Sequence, residues 1–118
     1  MFCLTIVTSC SGDEDSSATT YALKNEMTNI DGVTIDIACF EYNSIGESIG
    51  MNTVTNIRHG NNRTYIANDN AVKVKVYEII RGKYKTSYVW IQQVYYLKKN
   101  RNINITISDD TIVGPIEP

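Results

Sequence analysis

Strict two-residue alternation constrains this chain more than any other feature. Val72, Val74, Val76 and Ile80 alternate with Lys73, Lys75, Tyr77 and Arg81. Ile103, Ile105 and Ile107 alternate in the same way with Asn102, Asn104 and Thr106, and Val33, Ile35, Ile37 and Cys39 with Thr34, Asp36 and Ala38. Successive side chains of an extended strand point to opposite faces, so the pattern describes strands with one covered and one wet face. A helix would scatter the same residues around its circumference. Composition agrees: the 118 residues include 16 Ile, 9 Val and 12 Thr but only 3 Leu and 5 Ala. β-branched side chains lose χ1 freedom in a helix and pack well on a pleated surface. All-helical and doubly wound α/β folds are therefore excluded, and the length fits one domain.

Turn residues divide the alternation into short runs. Tyr21 to Met27 is a first strand with the weakest pattern, and Asn29 to Gly32 turns the chain into Val33 to Tyr42. Asn43 to Gly50, with Ser-Ile-Gly twice, reads as a loop. Met51 to Arg58 and Arg63 to Ala67 are expected to pair across His59-Gly60-Asn61-Asn62, with Asn68-Asp69-Asn70 as the next turn. Arg81 to Lys85 turns the Val72 run into Thr86 to Lys98, the longest strand, and Lys99-Asn100-Arg101 turns that into Asn102 to Ser108. These last three runs read as an antiparallel meander, with Thr111 to Val113 returning to an edge. Seven or eight half-polar strands imply an all-β, two-sheet antiparallel sandwich over residues 21–118.

The N-terminal residues read as an address. Met1 to Ser9 is short and apolar, and Val7-Thr8-Ser9-Cys10 resembles a bacterial lipobox, in which the cysteine is acylated and becomes the new N-terminus. No Lys or Arg precedes Cys10, which places the true start of this leader upstream. Residues 10–20 follow as a lipidated cysteine and an acidic tether containing Asp13-Glu14-Asp15, with no large apolar side chain to fund its ordering. The acidic triplet resembles the surface-export signal of lipoproteins from Bacteroidetes-type bacteria. This implies an outer-membrane, lipid-anchored protein exposed at the cell surface, with a periplasmic position as the alternative. Together with the strand pattern, the chain resembles small immunoglobulin-like lipoproteins of those bacteria. The Cys…Trp…Cys framework of antibody domains is absent, so that likeness implies architecture and no function. With Cys3 in the leader and Cys10 lipidated, Cys39 is the one thiol of the domain, expected to be a small buried hydrophobe.

Signals for chemistry are sparse. The single histidine, His59, sits in a Gly/Asn turn, and no nucleophile signature such as Gly-x-Ser-x-Gly occurs, so the expectation is a non-enzyme without metal or cofactor. A small hydrolase would need a cleft and a carboxylate beside His59. Asp69 and Asp109-Asp110 lack the spacing of an EF-hand and read as turn-closing residues. Asp110-Thr111-Ile112 matches a short O-glycosylation motif of Bacteroidetes-type bacteria. The net charge of −2 argues against nucleic acid.

The informative residues are aromatic. Tyr88, Trp90, Gln92 and Tyr96 share one face of the longest strand, next to Tyr77, Lys73 and Lys75 on the preceding one. Tyr77, Tyr88, Trp90, Gln92 and Tyr96 form a candidate binding face that would stack sugar rings or seat a protein. The favoured reading, however, puts Trp90 in the core of a central strand with the tyrosines at its margin, because Trp is highly buried on average. The expected function is a lipid-anchored envelope module that binds a glycan or protein. The alternative is a structural or accessory subunit of a fimbria-like assembly, joined through its edge strands.

Overall fold

In the computed structural model, which describes residues 18–118, all regular elements are strands: β1 (Thr20–Asn25), β2 (Thr34–Tyr42), β3 (Ser48–Val54), β4 (Asn62–Ile66), β5 (Lys73–Arg81), β6 (Thr86–Tyr96), β7 (Asn102–Ile107) and β8 (Val113–Gly114). They form a three-stranded sheet, β4-β1-β7, and a five-stranded sheet, β3-β2-β5-β6-β8. The all-β, two-sheet sandwich expected from the alternation is the fold of this chain. Every pairing is antiparallel except that of β1 with β7.

The core lies between the sheets. Tyr21 and Leu23 of β1 and Ile105 and Ile107 of β7 face Ile37 and Cys39 of β2, Val74 and Val76 of β5, and Ile91 of β6. These side chains are the inward halves of the alternating runs. Cys39 is buried as expected, and its thiol is pushed up to about 12 by burial, reinforced by the nearby charge of Glu41.

Two expected pairings are corrected by the topology. The residues after Tyr96 do not complete a meander. Leu97 still bonds Val72 through its backbone, but the turn that follows, with Asn100 at φ 59°, carries the chain to the other sheet, where β7 lies parallel to β1. Ile103, Ile105 and Ile107 face a core in either sheet, so periodicity alone cannot choose between them. Likewise β3 pairs with β2 and β4 with β1, not with each other. The segment between them crosses from sheet to sheet. Ile57 plugs the core there, with its N–H on the Ile35 carbonyl, and Gly60 at φ 83° donates to the Asn25 carbonyl. The expected loop at Asn43–Gly50 is shorter than the sequence indicated, since β3 already begins at Ser48.

The least regular run, β1, is central in its sheet. Lys24 and Glu26 disguise its alternation, but Asn25 is buried and satisfied locally, its Oδ1 accepting from Met27 N–H at 3.0 Å.

Two carboxylates lie on the inner face of the larger sheet. Glu41 Oε2 accepts from Tyr21 OH (2.7 Å) and Asn52 Nδ2 (3.0 Å), while Oε1 accepts from Asn68 N–H (2.8 Å). The cross-strand partner of Glu41 is Gly50, where a Cβ would stand 3.1 Å from Oε1 and make the carboxylate give by a few tenths of an ångström. Glu78, between Ile37 and Val89, is equally buried, but its Oε2 has no hydrogen-bond partner.

Candidate ligand-binding face

The outer face of the five-stranded sheet is built from residues of the opposite parity to the core. Cross-strand register sets them in rows: Tyr42, Lys73 and Tyr96; then Met51, Phe40, Lys75 and Val94; then Thr53, Ala38, Tyr77, Trp90 and Gly114; then Asp36, Ile79 and Tyr88. Between Lys75–Val94 and Tyr77–Trp90 the strand β6 carries two extra residues. Two is one full strand period, so the bulge leaves Trp90 and Val94 on the same face.

Trp90 is therefore outside the sandwich core, half-buried among its neighbours on the outer face, which corrects the expectation of a core tryptophan. Its ring centroid lies 4.8 Å from that of Tyr77 and 5.5 Å from that of Phe40. Tyr77 in turn stacks on Tyr88 at 6.4 Å with an interplanar angle of 25°. Ala38, the small residue beside Tyr77 on β2, leaves space for these rings to lean together. Tyr88 is 58 % exposed, so the cluster ends in a ring open to solvent.

The five residues expected from the sequence all lie on this face, but they do not act alike. Tyr77, Tyr88 and Trp90 form one cluster. Tyr96 is 67 % exposed and stands apart, across Lys73 from Tyr42. Gln92 is occupied: its Nε2 donates to the carbonyls of Trp90 (3.2 Å) and Ile116 (2.7 Å). Phe40, Tyr42 and Met51 were missed by the sequence reading. The parity that sets Thr34, Asp36 and Ala38 outward on β2 also sets Phe40 and Tyr42 outward, and that signal was available.

After β8 the segment Pro115–Pro118 crosses this face as a strap. Glu117 reaches Lys75 Nζ at 2.7 Å and accepts from Tyr42 OH at 3.4 Å. The same ammonium sits 4.8 Å from the centroid of the Tyr42 ring. Burial, then the charge and hydrogen bond of Glu117, raise the Tyr42 hydroxyl above its ordinary value.

Charge is segregated along the chain. Residues 73–101 hold eight of its eleven Lys and Arg (Lys73, Lys75, Arg81, Lys83, Lys85, Lys98, Lys99 and Arg101) and one acid, the buried Glu78. The β5–β6 region thus carries +7 within a chain of net −2. Arg81 is paired with Asp36.

The other candidates are accounted for locally. His59 is exposed, with Nδ1 3.1 Å from the Met27 carbonyl and its N–H on Asn29 Oδ1 at 2.8 Å. Asp109, whose carboxyl is held below its usual range by hydrogen bonds from Thr28 and, more weakly, by the His59 charge, lies near it. The neighbouring cleft, about 270 Å³, is lined by residues from Asn25 to Ile35 together with Ile57 and Arg58, and not by His59. Asn68 Oδ1 accepts from Asn70 N–H at 3.0 Å, the turn-closing bond expected of that triplet. Thr111 Oγ1 accepts from Ser108 N–H at 2.9 Å. Among the described residues no group of three or more His, Cys, Asp or Glu could hold a metal ion, and no helix is long and apolar enough to cross a membrane. Cys10, the leader and the acidic triplet lie outside the described residues. No protein family, curated protein or solved structure matches the chain.

Proposed function

We propose that this protein is a lipid-anchored binding module of the bacterial cell envelope, held to the outer membrane through Cys10 and engaging a glycan with the outer face of its larger sheet. The observation that supports this reading is the joined ring cluster of Phe40, Tyr77, Trp90 and Tyr88 on the outer face, which ends in the exposed Tyr88 ring. Aromatic rings offer large contact area at low entropic cost, and fixed by their neighbours they present flat surfaces to the C–H faces of sugars. The module acts without catalysis.

Trp90→Ala should weaken glycan binding at least about tenfold, the loss of one central aromatic anchor, with the thermal midpoint as a control for folding. Binding that survives Trp90→Ala unchanged removes the face from consideration. For the anchor, Cys10→Ala in a chain carrying its complete leader should move the protein from the membrane to the soluble fraction. A variant that stays membrane-bound refutes the lipid reading.

The alternative, a structural subunit joined by edge strands, has one observation in its favour. The eleven-residue β6 is paired by β8 only at Trp90 and Ile91, leaving lengths of edge on either side. It requires self-association, and a monomer by light scattering at high concentration rules it out.

A further inference from the structure

The strap points to the charge of the ligand. Lys75 is an enclosed cation: its side chain is 12 % exposed, with the Tyr42 ring on one side and the Glu117 carboxylate on the other. Glu117 itself is 44 % exposed, on a strap fixed by a two-residue strand, the Gln92 amide and this ion pair. Glu117 is half exposed and the strap is held by few bonds, so it is displaceable, and the Lys75 ammonium beside the Tyr42 ring is then open to another anion. Lys75 and Tyr77 are two residues apart on one face of β5, about 7 Å along the strand. The Lys75 ammonium leans away from Tyr77, over the Tyr42 ring, so an acidic oligosaccharide rather than one sugar spans the interval, with an acid at Lys75 and a neighbouring ring at the Tyr77–Trp90 cluster. Lys73, in the adjoining row between Tyr42 and Tyr96, adds a second cation.

We propose that Glu117 is a resident placeholder and that the face it crosses binds an acidic glycan of the uronic-acid class, one of whose carboxylates replaces Glu117 on Lys75 and Tyr42 while a neighbouring sugar ring packs against the Tyr77–Trp90 cluster. This rests on the outer-face reading above and specifies its ligand. An acidic peptide or single-stranded nucleic acid satisfies the charge, but an anion socket one row from a cluster of inclined aromatic rings suits an acidic glycan better.

The test is calorimetric titration of the full chain with oligomers of galacturonate, guluronate and glucuronate-containing sugars, each beside its methyl-esterified form, which keeps the ring and removes the charge. At least one uronate oligomer should bind about tenfold tighter than its ester. Glu117→Gln should tighten the acid further, severalfold, and leave the ester unchanged. Lys75→Gln should abolish the difference between acid and ester. Equal binding of acid and ester by the wild type and by Glu117→Gln overturns the acidic assignment and leaves the outer-face reading standing. Binding of neither form by either protein overturns the glycan reading itself. Uptake of poly-glutamate or of a single-stranded oligonucleotide, with no uronate bound, overturns the proposal in favour of that partner.

Discussion

Replacing Glu41 with alanine is expected to remove about 3–4 kcal/mol of stability, the largest loss we predict for any single side chain of this domain. The carboxylate lies where donors from two strands and a turn converge: the Tyr21 hydroxyl of β1, the Asn52 amide of β3 and the Asn68 backbone N–H between β4 and β5. Tyr21 is wholly buried, and burial is the foremost cause that raises its hydroxyl well above the ordinary range, so that group stays a protonated donor. Without Glu41, Asn52 still donates to the Tyr21 oxygen at 2.7 Å, but the Tyr21 O–H and the Asn68 N–H lose their acceptors. A buried donor left unpaired costs about 1–3 kcal/mol, and the truncated side chain leaves a cavity besides. Glu41→Gln, which keeps the shape and turns an amide toward some of these donors, should cost less, about 1–2 kcal/mol. Urea unfolding measures both as a lower midpoint at unchanged slope. A Glu41→Ala variant within about 0.5 kcal/mol of wild type would show that the network does not tie the sheets together.

Glu78 predicts an effect of the opposite sign. Burial pushes its carboxyl up to about 6 from an ordinary 4.5, and no partner offsets that burial at Oε2. A raised acid pKa means that the folded state holds the proton more tightly than the unfolded chain. Below pH 4.5 both states are protonated and this residue costs nothing through ionisation. As the pH rises from 4.5 through 6 the unfolded chain releases the proton first, and folding stability falls by about 2 kcal/mol, all of it lost by pH 7. Glu78→Met, similar in shape and free of charge, should therefore stabilise the domain by about 2 kcal/mol at pH 7.5 and by much less at pH 4.5. Unfolding curves across that range decide the matter. A gain independent of pH, or a destabilised variant, would mean that Glu78 is ionised in the fold and held by partners.

The strands were legible in the sequence because alternation acts on single residues. Val74, Val76, Ile105 and Ile107 fall inward wherever their strand is placed, and all four are fully buried. The distribution of strands between sheets was not legible. A register pattern is the same for β7 beside β6 or beside β1, and what decides is a turn at Asn100 that fits either reading until its bonds are known: Asn100 N–H donates to Thr19 Oγ1, and Thr20 N–H to the Arg101 carbonyl. The candidate face was legible for the same reason as the strands, at Tyr77, Tyr88, Trp90 and Tyr96. Its contribution from β2 follows the same parity, whereas the Glu117 strap does not. Ile116 and Glu117 lie beyond the last alternating run, and nothing local to them signals that they fold back over Lys75.

Glu78 passed unnoticed for a related reason. It occupies the inward parity of β5, after Val74 and Val76, and a charged residue there reads as an interruption of the strand. The structure keeps the strand regular and buries the carboxyl.

The proposed function places ligand contact on the outer face of the five-stranded sheet. The most direct measurement is a map of amide and indole chemical shifts in the full chain titrated with the tightest-binding uronate oligomer. The Trp90 indole and the amides around Phe40, Lys75, Tyr77 and Tyr88 should move together and saturate at one concentration, with Glu117 shifting as it leaves Lys75. Shifts confined to the cleft near Ile30 and Arg58, or to the outer side of β4-β1-β7, with the Trp90 indole unmoved, would contradict that placement.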